Sequence, residues 1–251
     1  DEKDRRKAKI EGDGADDVWC RLHDEAGKLN PKYFGFDGAI ARFRHFFPQG
    51  FHSRPYEREE RNYKLAAKTK LDLAVPVEAA ATGSGLGEAI LSVYRATNLL
   101  SPFETVRLQD VLRGPGADAF VKAAARFALG DTHAGLRDME YALKPHESAK
   151  WTVVTYLPFL WQPETHMFLK PQVTRDFAGR VGHRFAADYQ PRLAIDIYDS
   201  LLDLTRETTA RLASLRPRDR IDVQSFIWVV GGYPDDSQEP GARMNADANA
   251  R

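Results

Sequence analysis

Ten basic residues between positions 28 and 70 (Lys28, Lys32, Arg42, Arg44, Arg54, Arg58, Arg61, Lys64, Lys68 and Lys70) face four acids, Asp37, Glu57, Glu59 and Glu60. Nine aromatic side chains interleave with them, from Tyr33 to Tyr63. Cationic groups hold phosphates and flat rings stack on unpaired bases, so this pattern points to nucleic acid. Arg54, Arg58, Arg61 and Lys68 fall on one row at i, i+4, i+7 and i+14 if the segment is helical, and Arg42 and Arg44 precede them. These six are the candidate nucleic-acid contacts. The plainer reading makes the phenylalanines core and the basic residues a solvated face paired with acids.

Other constellations are weaker. Gly83–Gly87 reads GSGLG, but no Lys-Ser/Thr follows as a phosphate loop requires, and GxGxG is not the dinucleotide pattern. It reads as a helix–helix connection. Asp196, Asp199 and Asp203 share a helix face and could hold a divalent ion only with partners from other helices; a solvated face is the simpler expectation. Seven scattered histidines form no HxxxH or HxH pair, and Cys20 with His23 is too little for a zinc site; His45 and His52 could approach His23. No catalytic residue, metal site or cofactor is assigned from the sequence.

The stretch 217–232, PRDRIDVQSFIWVVGG, sets polar groups at the entrance of an apolar run. If buried, Asp219 and Asp222 need partners, with Arg216 or Arg218 the nearest cations. Trp228 lies off the Val223–Phe226 face and is the candidate protein-partner contact. Trp151, Tyr156 and Trp161 would line an apolar ligand pocket if one opened between helices.

The elements that must carry these groups read as helices. Val223, Phe226, Ile227 and Val230 have the spacing of a helix burying one face, with Pro217 in its first turn and Gly231-Gly232 as its stop. Residues 38–47 read as a helix ended by Pro48. A second runs from the Ser53 cap to about Leu73, with Glu57–Arg61 and Glu60–Lys64 as i,i+4 pairs. Ser101-Pro102-Phe103-Glu104 is a capping box for a helix to about Leu112. Helices over 117–129 and from Asp131 or Thr132 to about Leu143 follow. Residues 150–161 are apolar on both faces and read as a buried helix, with a central strand as the alternative. The piece 166–170 reads as extended, then helices follow from Pro171 to about Ala187 and from Pro191 or Arg192 to about Leu215. Leu193, Ile197, Leu201, Leu204, Thr208 and Leu212 make the packing stripe of the last.

The fold expected is therefore mainly α, an irregular multi-helix bundle with a minor β element near the N-terminus: a hairpin over 18–36, with a second extended piece at 165–170. Residues 1–17 read as a flexible charged arm, 18–74 as a basic, aromatic-rich subdomain, 75–233 as the helical body and 234–251 as a disordered tail. Thirty-six basic side chains balance thirty-six acidic ones, which disfavours a globally basic nucleic-acid binder. A single cysteine points to a reducing compartment. The charged opening residues carry no apolar leader and no run is long enough for a bilayer, so a cytoplasmic protein without a membrane partner is expected. The function expected is a non-enzymatic binding or scaffold module of a larger intracellular assembly, with a protein partner and a nucleic-acid contact through the basic helix at 54–70. The alternatives are a hydrolase or nuclease with a site dispersed in sequence, and a small-ligand binder.

Overall fold

The computed structural model describes residues 9–15, 17–18, 21–22, 25 and 32–234. Among them all regular structure is helical and no strand occurs. The N-terminal β element is not shown: the described positions at 15, 17, 18, 21, 22 and 25 are helical, with Asp17 and Arg21 paired one turn apart. Trp19, Cys20 and Asp24 of the expected hairpin lie outside the described residues. So do most of the expected N-terminal arm and 235–251 of the expected tail.

Helix α1 (Gly35–Phe46) buries Ala39, Phe43 and Phe46 and stops before Pro48. Ser53 then caps α2 (Arg54–Tyr56), accepting from the Tyr56 N–H with Pro55 in the first turn. The helix continues through a π turn, Glu57–Arg61, into α3 (Asn62–Ala74). The Gly83–Gly87 run connects α4 (Val77–Thr82) to α5 (Gly87–Tyr94). Helix α6 (Pro102–Arg113) starts on the Ser101/Glu104 capping box. Helices α7 (Ala117–Ala128) and α8 (Thr132–Leu143) form a hairpin, with Asp131 capping the second.

Every residue of α9 (Trp151–Trp161) is buried. A helix closes its own backbone hydrogen bonds, whereas a strand there would need a partner strand on each side. The Thr155 Oγ1 accepts from the Leu169 N–H at 3.0 Å, tying the irregular 166–170 segment to α9. Helix α10 (Pro171–Val181) ends six residues earlier than its spacing predicts, because Gly182 takes the left-handed conformation (φ 79°) that caps a helix. The remainder is the single turn α11 (Phe185–Asp188). Helix α12 (Ile195–Arg211) begins later than Pro191 and buries Ile197, Leu201, Leu204 and Thr208.

Helix α13 (Arg220–Gly232) packs against α10, α1, α12 and the π turn. Asp219, not Pro217, opens it, its carboxylate accepting from the Ile221 and Asp222 N–H groups. The Gly231-Gly232 pair falls inside the last turn instead of stopping it. A Cβ on Gly231 would lie 2.5 Å from the Val173 carbonyl oxygen, so the glycine serves close approach of α10. Val223, Phe226, Ile227 and Val230 are buried, as are most of their neighbours, so α13 is enclosed on nearly every side. One contiguous core runs from Ala39 to Tyr233 and takes side chains from both the 18–74 and 75–233 stretches. No described helix is long and apolar enough to cross a membrane.

Candidate functional site

The densest group of chemically capable side chains lies where 56–64 meets α13. The π turn sets its geometry. In an uninterrupted α-helix Glu57 and Arg61 would pair; here they part. Arg61 sends Nη1 and Nη2 to the two oxygens of Asp219 at 2.8 and 2.6 Å, and Nη1 also reaches Asp222 Oδ1 at 2.7 Å. Glu57 accepts instead from Arg218 Nη1 at 3.0 Å. Asp222 Oδ1 further accepts from the Tyr56 hydroxyl at 2.6 Å, and its Oδ2 from the Arg218 N–H and Nε at 2.9 and 3.0 Å. Asp222 has no exposed surface. Burial alone would raise its carboxyl, but Arg218, Tyr56 and Arg61 outweigh that and hold it below the usual carboxylate range.

A second set adjoins the first. Lys64, 0% exposed, donates from Nζ to Ser225 Oγ at 2.8 Å and to Glu60 Oε2 at 3.4 Å. Ser225 donates to the Ile221 carbonyl at 2.9 Å, and the Tyr233 hydroxyl donates to Glu60 Oε1. Burial pulls the Lys64 ammonium down and pushes the Glu60 carboxyl up, in each case more than their mutual attraction resists. A serine beside a lysine suggests an acyl-transfer pair, in which lysine takes the serine proton. The geometry here runs the other way: lysine donates, and the serine proton is held by a backbone carbonyl. Two surface cavities, of about 400 Å³ among Gly85, Arg113 and Asp118 and about 50 Å³ among Phe103, Ser148 and Val153, have no member of the cluster in their walls.

The basic residues singled out in the sequence separate. Arg61 is buried in the cluster, so its guanidinium does not join a surface row. Lys68 bonds Asp72 and the Trp161 carbonyl, both at 3.0 Å. Arg42 donates to the Tyr233 carbonyl at 2.6 Å. Arg44, Arg54 and Arg58 are exposed, and Arg58 reaches Glu59 at 3.1 Å. Trp228 is half-buried with the Lys170 ammonium 4.5 Å above its ring.

Several residues of the alternative readings are engaged elsewhere. Among the described residues no group of three or more His, Cys, Asp or Glu side chains could hold a metal ion. Asp196 pairs with Arg192, and Asp203 with Arg184 and Arg206. His45 rests edge-on against Phe46 and His52 meets the Arg216 carbonyl, while His23 lies outside the described residues. Tyr156 and Trp161 donate to the Val93 and Val75 carbonyls inside the core and Trp151 is buried on the same helix; none of the three lines either of the two cavities.

Sequence reasoning found the polar entrance of α13 and the Arg218–Asp222 pair, but missed Tyr56, Arg61 and Tyr233 as partners. The usable signal was Asp222, Gln224 and Ser225 standing inside an apolar run, since buried polar groups demand partners. Nothing local says that the partners lie about 160 residues away. Compared with protein-family models, curated proteins and solved structures, the chain matches none.

Proposed function

We propose that the chain is a non-enzymatic binding module of a larger intracellular assembly. One observation carries this reading: Lys64, Ser225 and Asp222, the side chains best suited to catalysis, have no exposed surface, Lys64 donating to Ser225 and Glu60, Ser225 to the Ile221 carbonyl, and Asp222 accepting from Tyr56, Arg61 and Arg218. A substrate has no approach to them. Fully satisfied, such a cluster rigidifies a fold and fixes how its parts pack. The single cysteine fits a reducing, cytoplasmic setting.

The test is turnover. Purified protein is offered ester, phosphoester and nucleic-acid substrates with and without divalent cations, beside Ser225→Ala. No turnover in either is the expected result. Turnover that disappears in a Ser225→Ala protein with an unchanged melting curve sinks the binding-module reading.

A further inference from the structure

Helix α6 turns two apolar side chains to solvent one turn apart: Phe103 is 84% exposed and Val106 63%. The inner face of the same helix is already satisfied, with Leu108, Val111 and Leu112 buried. A lone apolar side chain on a surface needs no explanation, but an adjacent pair on a firmly held helix does. The helix is firmly held, since the Ser101/Glu104 box closes its first turn and Thr152 of α9 donates to Glu104.

The flanks of this face are charged, and neutral in sum. Towards residues 144–150, Arg107 pairs with Glu147 at 3.3 Å, and Phe103 shares the wall of the smaller cavity with Arg107, Glu147 and Lys150. Towards α5, Arg113 pairs with Glu88 and Arg95 donates to Gln109. With Glu104 and Asp110 of α6 itself, and Asp118 and Lys144 beside its C-terminal half, five cations stand against five carboxylates among the described residues. Such a face draws in neither a polyanion nor an anionic membrane. The whole chain is likewise balanced, 36 basic against 36 acidic side chains, so two copies approach without mutual repulsion.

We propose that this face docks on the same face of a second copy of the chain, as an antiparallel pair of α6 helices about a two-fold axis. An axis between residues 106 and 107 sets Val106 beside its own counterpart and Phe103 beside the Val106–Asp110 turn of the other copy. The operation keeps each edge of the helix on its own side. Arg107 and Asp110 lie on one edge of Val106, so they share an edge in the pair as well. Long helical side chains lean towards the N-terminus of their helix, which aims each Arg107 at Asp110 of the other copy, one turn away. Every such contact then occurs twice, as an isologous interface requires. Glu147 is 79% exposed and gives up little by sharing Arg107. An unrelated protein would have to supply matching charges, whereas a second copy brings them. The inference goes beyond the binding-module reading and is independent of it, since self-association neither needs nor excludes turnover.

The experiment is sedimentation velocity of the full chain over a concentration series, with a thermal melt of each variant to check folding. The wild type should show a monomer–dimer equilibrium. Phe103→Asp and Val106→Glu, both at solvent-facing positions, should each weaken it roughly tenfold or more. Leu73→Asp, at a position 81% exposed on α3, should leave it unchanged. Arg107→Asp and Asp110→Arg should each weaken it roughly tenfold, by setting like charges opposite one another twice. Mixed in equal amounts, those two variants should form heterodimers of near wild-type strength, because each residue 107 again faces an opposite charge at 110. A monomer up to the solubility limit, a dimer indifferent to Phe103→Asp and Val106→Glu, or a mixture no better than either variant alone each overturn the proposal. Those outcomes leave the binding-module reading standing, because only turnover removes it.

Discussion

Arginine, lysine, tyrosine and aspartate build two quite different regions of this molecule. In the cluster between the π turn and α13, Arg61 makes three hydrogen bonds to two carboxylates and shows 6% of its surface. On the α7–α8 hairpin, Arg126 and Arg137 share one carboxylate and Tyr141 meets solvent on nearly every side. Interior charges need near-complete pairing, since leaving one uncompensated is costly. Exterior charges gain little from pairing and remain available to a ligand. Residue type therefore says less about role than how many of a group's donors the protein itself has engaged.

The comparison breaks most visibly at Asp222. Asp222→Ala removes the acceptor shared by Tyr56, Arg61 and Arg218, and should cost about 3–5 kcal/mol in urea unfolding. A loss below about 1 kcal/mol, the range of a surface pair, would place the cluster with the exterior charges.

His183 lies between the two extremes. Burial lowers it to about 4 from its ordinary 6.5, although Asp203 is 3.5 Å from its Nε2. The native state then binds fewer protons than the unfolded chain between those values. Stability should fall as pH drops from about 6.5 to about 4, by up to roughly 3 kcal/mol, and this contribution should level off below. His183 Nδ1 accepts from the Phe185 N–H at 3.1 Å, and an asparagine oxygen can replace that acceptor. His183→Asn should thus flatten the acid limb of a stability–pH curve, and an unaltered limb would remove histidine from the account. The smallest effect belongs to the exterior: Tyr141→Ala and Lys144→Glu should each change unfolding free energy by no more than about 0.5 kcal/mol. A larger change would mean that the hairpin face is part of the fold's own packing.

Much of the helical layout was legible because its punctuation is local. Ser53, Ser101 with Glu104, and Asp131 cap helices where the sequence places them, and Pro48 marks a boundary. The cluster was legible only from one side. Asp219 and Asp222 announce a need for cations, and Arg218 is near in sequence, but Arg58 and Arg61 are indistinguishable as text. One is exposed and the other is bonded to carboxylates at the start of a helix far along the chain, partners that the local sequence does not name. The same holds for Gly231, which reads as a stop and acts as a contact, since the Val173 carbonyl that requires it belongs to another helix.

The π turn has a further consequence, in the phase of the chain. One residue advances an α-helix by about 100°, so a π turn works as a one-residue insertion that rotates everything after it by that angle relative to what came before. Upstream, Tyr56 points to Asp222; downstream, Lys64 points to Ser225, three residues along α13. Deleting one residue within Glu57–Arg61 would leave all but one of the side chains in place as text, yet turn either Tyr56 or Lys64 away from its partner. The spacing between these residues is thus as much a determinant of the fold as their identities, and substitutions here should be better tolerated than changes of length.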